Sequence, residues 1–188
     1  DGARHLRYAR LDSQGALQSP IQELGTVQSG WFSYLAVAVA PNGYIGHSWA
    51  QVQSRQVNGV WEYNYNVFLA ILDGAGNIVL TPTNLTGNVL WGNNTVNVPE
   101  FSYSQITATR DNRFAVAWQQ DVQTTDSWEA DLFFTVRSAD GQVVKPVTQF
   151  SQDPNTNQHN AMYPRLAVLN GNRFLLAYRS WSTAGVRL

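Results

Sequence analysis

The sequence predicts an all-β chain of four-stranded antiparallel units, about three in number, arranged as the blades of a partial β-propeller. Three observations carry this expectation. An aromatic pair recurs at constant spacing: Tyr34 and Trp49, Tyr103 and Trp118, and Tyr163 and Tyr178 are each fifteen positions apart, around turns at Asn42-Gly43, Asp111-Asn112 and Asn170-Gly171-Asn172. A second motif alternates with the first, reading Leu11-Asp12-Ser13-Gln14-Gly15, Leu72-Asp73-Gly74-Ala75-Gly76 and Arg137-Ser138-Ala139-Asp140-Gly141, followed by Pro20, Pro82 and Pro146. No long stretch carries apolar residues at a helical period. Internal repetition of this kind, at roughly 60 to 70 residues, decides an architecture before single strands are argued.

Taken in order, residues 6–11 and 16–18 form an outer hairpin around the first Asp turn. Residues 35–40 alternate Leu35, Val37 and Val39 with three alanines; Pro41-Asn42-Gly43 reverses the chain, and residues 44–51 return. Residues 67–72 and 77–80 form the next outer hairpin, which Pro82 stops because proline has no N–H for the ladder. The aromatic hairpin recurs at 105–109 with 114–119, the outer one at 132–137 with 142–144, and the aromatic one again at 165–169 with 174–179. Small apolar residues such as Ala115, Ala117 and Ala177 beside Val116, Leu175 and Leu176 describe strands packed on both faces. The chain thus reads as one segment: an outer hairpin at 1–30, blades at 31–95 and 96–155, and an inner hairpin at 156–188. Three blades are fewer than the four to eight that close a propeller. The expectation is therefore a segment of a longer propeller, the start at Asp1 without Met suggesting a missing leader or longer N-terminal part, or a chain that closes with other copies of itself.

Composition narrows the function classes. Apolar residues make up 44% and charged residues 13%, enough for a core and too few charges for disorder. Twelve basic against thirteen acidic residues, with no run of either sign, provide no electrostatic footprint for nucleic acid. No apolar run is long enough to span a bilayer as a helix. The absence of cysteine excludes disulfides and thiolate metal sites. Asn, Gln, Ser and Thr, with seven Trp and eight Tyr, take the place of charge, a surface suited to an extracellular or cell-surface protein.

Candidate chemistry is sparse. No serine-hydrolase elbow, zinc-protease helix or phosphate loop occurs. His47 stands where the other copies have Val116 and Leu176, which allows a base facing a channel or a histidine satisfied within a strand. Asp121, Asp126, Glu129 and Asp131 fall together in a connecting segment. Calcium is the cofactor such oxygen ligands suit, although no calcium-loop spacing is present and a solvated loop would look the same. Trp49 and Trp118 read as packing residues, whereas Trp31, Trp61, Trp91, Trp128 and Trp181 fall in loops or at strand ends. With Tyr63 and Tyr65 they form the candidate ligand-binding set, because flat aromatics beside amides stack on sugars or anchor a protein partner.

The strands Arg113-Phe114-Ala115-Val116-Ala117-Trp118 and Arg173-Phe174-Leu175-Leu176-Ala177-Tyr178, with the outer segment Leu132 to Gly141 and its Ser138-Ala139-Asp140-Gly141 turn, resemble the blade repeats of large bacterial secreted and cell-surface β-propeller proteins. That resemblance implies a surface location and a scaffolding, adhesive or assembly role, binding protein or glycan without catalysis. A weaker similarity runs to sialidase-like propellers, but the Asp-box pattern departs here: Gly141 follows Asp140 directly and no Trp comes after. Part of a propeller glycoside hydrolase or lyase is the alternative, and it requires paired carboxylates in a cleft.

Overall fold

The computed structural model describes residues 2–93, 98–123, 128–150 and 160–181. Its regular structure is entirely strand: β1 (Arg4–Tyr8), β2 (Gln22–Val27), β3 (Gly30–Val39), β4 (Ile45–Val57), β5 (Val60–Leu72), β6 (Ile78–Asn84), β7 (Glu100–Ala108), β8 (Arg113–Gln123), β9 (Trp128–Ser138), β10 (Val143–Gln149), β11 (Asn160–Leu169) and β12 (Arg173–Trp181). Antiparallel pairing makes two four-stranded meanders, β3-β4-β5-β6 and β7-β8-β9-β10, flanked by the hairpins β1-β2 and β11-β12. One parallel bridge, Asn160 to Ala130, ties β11 to β9. The sheets stack without closing into a ring.

Two hairpins differ from the sequence expectation. β4 and β5 pair at every position from Ile45↔Leu72 to Val57↔Val60, because Asn58-Gly59, with φ of 51° and 81°, supplies the two left-handed residues of a tight hairpin turn. β5 therefore begins seven residues before position 67. In the first hairpin, β1 pairs with Gln22–Val27, and contact with residues 16–18 shrinks to the bridge Leu11↔Leu17. Pro20 explains this: without an N–H it interrupts the ladder, and regular pairing resumes beyond it.

The predicted Asp turns do form. Asp12 Oδ1 accepts from the amides of Gln14 and Ala16, at 2.8 and 2.9 Å, and Asp73 Oδ1 accepts from Ala75 and Asn77, at 2.9 and 2.8 Å. In the third copy Ser138 takes the place of the aspartate, as Gly141 N donating to Ser138 O shows. A short carboxylate accepting its own turn amides explains Asp12 and Asp73; in the third copy the Ser138 hydroxyl donates to Asp140 and to Gln142 O, and Asp140 Oδ1 accepts from Gln142 N at 3.5 Å.

The core lies between the stacked sheets. Val67, Leu69 and Ile71 of β5 meet Ile106 of β7 and Phe114, Val116 and Trp118 of β8. Leu6 and Leu24 of the first hairpin cover Trp49, Ala70 and Leu72 on the opposite face of the first sheet. Trp49 stacks on its cross-strand partner Phe68 at 5.7 Å, and Trp118 on Phe133 at 6.2 Å. Both tryptophans are 1% exposed. They are wedges of equivalent position, as expected.

A tyrosine sits at a bulge in each repeat. Tyr34, Tyr103 and Tyr163 have φ of 52°, 50° and 57°, at the register shifts Ser33/Ala36, Ser102/Gln105 and Met162/Arg165. A left-handed residue costs an L-amino acid about 1–2 kcal/mol, and here it frees each ring from the pleat. The three rings make one column, with centroids 4.4 Å apart between Tyr34 and Tyr103 and 4.7 Å between Tyr103 and Tyr163.

Candidate functional site

The bulge decides which side chains share a face. Before it, Trp31 is level with Val52 and Tyr65, and that face looks toward the second sheet. After it, the alternation inverts, so Ala36 and Ala38 take that face while Val37 pairs with His47 on the other. A groove of 230 Å³ results between the sheets, lined by Trp31, Ser33, Tyr34 and Tyr65 on one side and Glu100 and Ser102 on the other. Trp31 meets Tyr63 edge-on at 5.9 Å, and Tyr63 lies 6.4 Å from Tyr65.

The polar chemistry of the groove centres on Glu100. It opens β7 directly opposite Asp121 of β8, so two like-charged groups face each other across one ladder, an unfavourable arrangement. Burial, then the charge of Asp121, raises the Glu100 carboxyl above its ordinary range, against an opposing hydrogen bond from Tyr65. Burial also raises Asp121, opposed by bonds from Gln119 Nε2 at 2.7 Å and Ser102 Oγ at 3.2 Å. The Tyr65 hydroxyl is pushed up to about 12 by burial and then by Glu100, so it remains a donor at neutral pH. A flat indole, phenol and serine hydroxyls and a polarised carboxyl thus line one recess. Sugars are recognised by stacking and by convergent hydrogen bonds of this kind.

The other predicted residues are dispersed. Trp61 is half exposed beside the Asn58-Gly59 turn. Trp91 lies at the opposite face of the first sheet, under the Arg55 guanidinium at 4.2 Å, which Glu62 holds at 2.7 Å. The 330 Å³ recess there is lined by Gln51, Gln53, Asn64, Asn66 and Asn88 as well as Trp91, but its central amides bond one another. Asn66 Oδ1 accepts from Asn84 Nδ2, Thr86 Oγ1 and Asn88 N at 2.7–2.9 Å, and Asn64 Nδ2 donates to Leu90 O at 2.7 Å. This network fastens the chain after β6, a structural task. The backbones of Trp128 and Trp181 open β9 and end β12; their side chains lie outside the described residues.

The four acids do not gather. Asp121 pairs with Ala130, whereas Glu129 pairs with Val122 and Asp131 with Gln120, so Asp121 occupies one face of the sheet and the other two the reverse. They stand on strands because β8 and β9 run longer than the repeat suggested. Asp126 lies outside the described residues. Among the described residues no three acidic or imidazole groups converge as metal ligands, and no helix is long and apolar enough to cross a membrane.

Glu100 and the tyrosine column are what sequence reading missed. The available signal was position: Glu100 stands three residues before its bulge tyrosine, as Trp31 and Asn160 stand before theirs. No protein-family model matches this chain, and no similar curated protein or solved structure is found.

Proposed function

We propose that the four-stranded units are blades of a β-propeller and that the groove beside Trp31 binds neutral carbohydrate, within a secreted or cell-surface adhesive module. The groove's composition carries this reading: Trp31 offers a stacking face, Ser33 a hydroxyl, and the oxygens of Tyr65, Ser102 and Glu100 accept from sugar hydroxyls, since the Tyr65 and Ser102 protons already go to Glu100 and Asp121. Glu100 and Asp121 together repel an anionic sugar. The low charge and abundant amides of the chain suit an extracellular surface.

Titration calorimetry against a panel of neutral oligosaccharides tests the proposal. Binding by the unaltered protein that weakens at least tenfold, about 1.4 kcal/mol, in Trp31→Ala is the expected result. Absence of binding across the panel, or equal affinity in Trp31→Ala, would refute it.

One observation favours a second reading, glycoside cleavage. Glu100 and Asp121 are directly opposed, half-buried and shifted upward, and glycosidases work through two carboxyls flanking the scissile bond. Glu100, held toward its protonated form, would be the acid and Asp121 its partner. Hydrolysis of aryl glycosides that falls by two or more orders of magnitude in Glu100→Gln is its expected signature; an inert unaltered protein removes it.

A further inference from the structure

The junction between stacked sheets brings the same repeat positions together each time it occurs. Three residues after each bulge tyrosine stand Val37, Ile106 and Leu166; three residues before Trp49, Trp118 and their repeat counterpart Tyr178, which is 43% exposed, stand Gly46, Ala115 and Leu175. At the first junction Ile106 meets Gly46 so closely that a Cβ on the glycine would lie 2.8 Å from Ile106 Cδ1. At the second, Leu166 and Ala115 line one apolar recess, and Phe134 meets Phe174 edge-on at 6.0 Å. The contact is heterologous, since a first-strand residue of one unit always meets a second-strand residue of the unit before.

Among the described residues, each end of the stack keeps one half of this contact open. Val37 is 60% and Val39 64% exposed, against 8% for Ile106; Leu175 is 51% exposed, against 1% for Ala115. The hairpins at the two ends are complementary as well. β1-β2 has the Asp turn of β5-β6 and lays Leu6 on Trp49 as β5 lays Val67 among the Trp118 cluster. It is the outer half of a unit, and among the described residues its strand β1 is paired with β2 alone. β11-β12 has the bulge tyrosine and repeats the inner half, with β12 at the edge of its sheet.

We propose that two copies of this chain associate head to tail, β12 of one pairing antiparallel with β1 of the next, while the Leu175 face of that hairpin covers Val37 and Val39. The pairing register follows from the internal units. Ser48↔Leu69 and Ala117↔Phe134 both correspond, counted from the tyrosine and from the turn, to Ala177 opposite Tyr8. The described residues of this 188-residue chain hold two whole units and two complementary halves, so a pair of such chains has six units, within the four to eight at which blades close a ring. The face and edge pairing stands on the repeated junction; the closed count of two copies rests also on reading the units as blades.

Sedimentation of the 188-residue chain, with Val37→Asp and Leu175→Asp variants, tests both parts. Both positions are exposed in the single chain, so each variant retains its fold, which circular dichroism checks. The expected mass is twice 21.0 kDa for the unaltered chain and 21.0 kDa for either variant alone. An equimolar mixture of the variants returns to the paired mass through one restored contact, Leu175 of the Val37→Asp copy on Val37 of the Leu175→Asp copy, while the other junction, Asp facing Asp, stays open. A monomeric unaltered chain overturns the pairing and leaves the blade reading standing. Failure of the mixture to recover overturns the head-to-tail contact, and a larger or open-ended assembly overturns the two-copy ring.

Discussion

His47 shows how one residue can depart from its repeat at a cost. Val116 and Leu176 fill the equivalent places, and His47 lies half-buried 5.4 Å from the Tyr8 ring with Nε2 buried and unpartnered among the described residues. Burial lowers its pKa below 6.5. The unfolded chain therefore binds a proton that the folded chain resists, so stability is full above about pH 6.5 and declines as pH falls through the folded value. Thermal unfolding of His47→Val, compared with the unaltered chain at pH 7.5 and pH 5, should show a smaller loss in the variant. Equal losses would remove His47 as the source. Glu100 has the opposite sign: a raised carboxyl opposes folding at neutral pH, as a group kept for a site would. Neither cost is visible in the linear sequence, because both come from neighbours distant along the chain.

Among the elements, the hairpins were the legible part. Turn residues at Asn42-Gly43, Asp73 to Gly76 and Asn112 formed where their chemistry required, and the tryptophan wedges fell on the predicted strands. Strand length was less legible. The Asn58-Gly59 turn extends β4 and β5 well past the repeat, carrying Trp61, Tyr63 and Tyr65 into regular strand. Stacking of the elements depends on Gly46, where a Cβ would lie 2.7 Å from Phe114 Cδ1 and 2.8 Å from Ile106 Cδ1. Gly46→Val should destabilise the chain by about 1–3 kcal/mol through overpacking, measured by urea unfolding. A neutral result would mean the sheets are not in close contact there.

At the scale of the whole molecule, the expected fold class holds as an all-β chain of antiparallel four-stranded units. The groove and the two open faces are products of how those units stack. What the sequence determined by itself is periodic: where the hairpins turn, which aromatics are wedges, and that outer and inner hairpins alternate. These follow from local rules, the left-handed tolerance of Gly and Asn and the two-residue alternation of strands. Only the tertiary structure decided which side chains meet. A bulge at each tyrosine inverts the alternation, so Trp31 and Val37, both at odd positions of one strand, point to opposite faces. Tyr65 reaches Glu100 from another sheet, thirty-five residues away along the chain. Facing depends on register and register on long-range pairing, so the repeat could be read from the chain while the site had to be read from the fold.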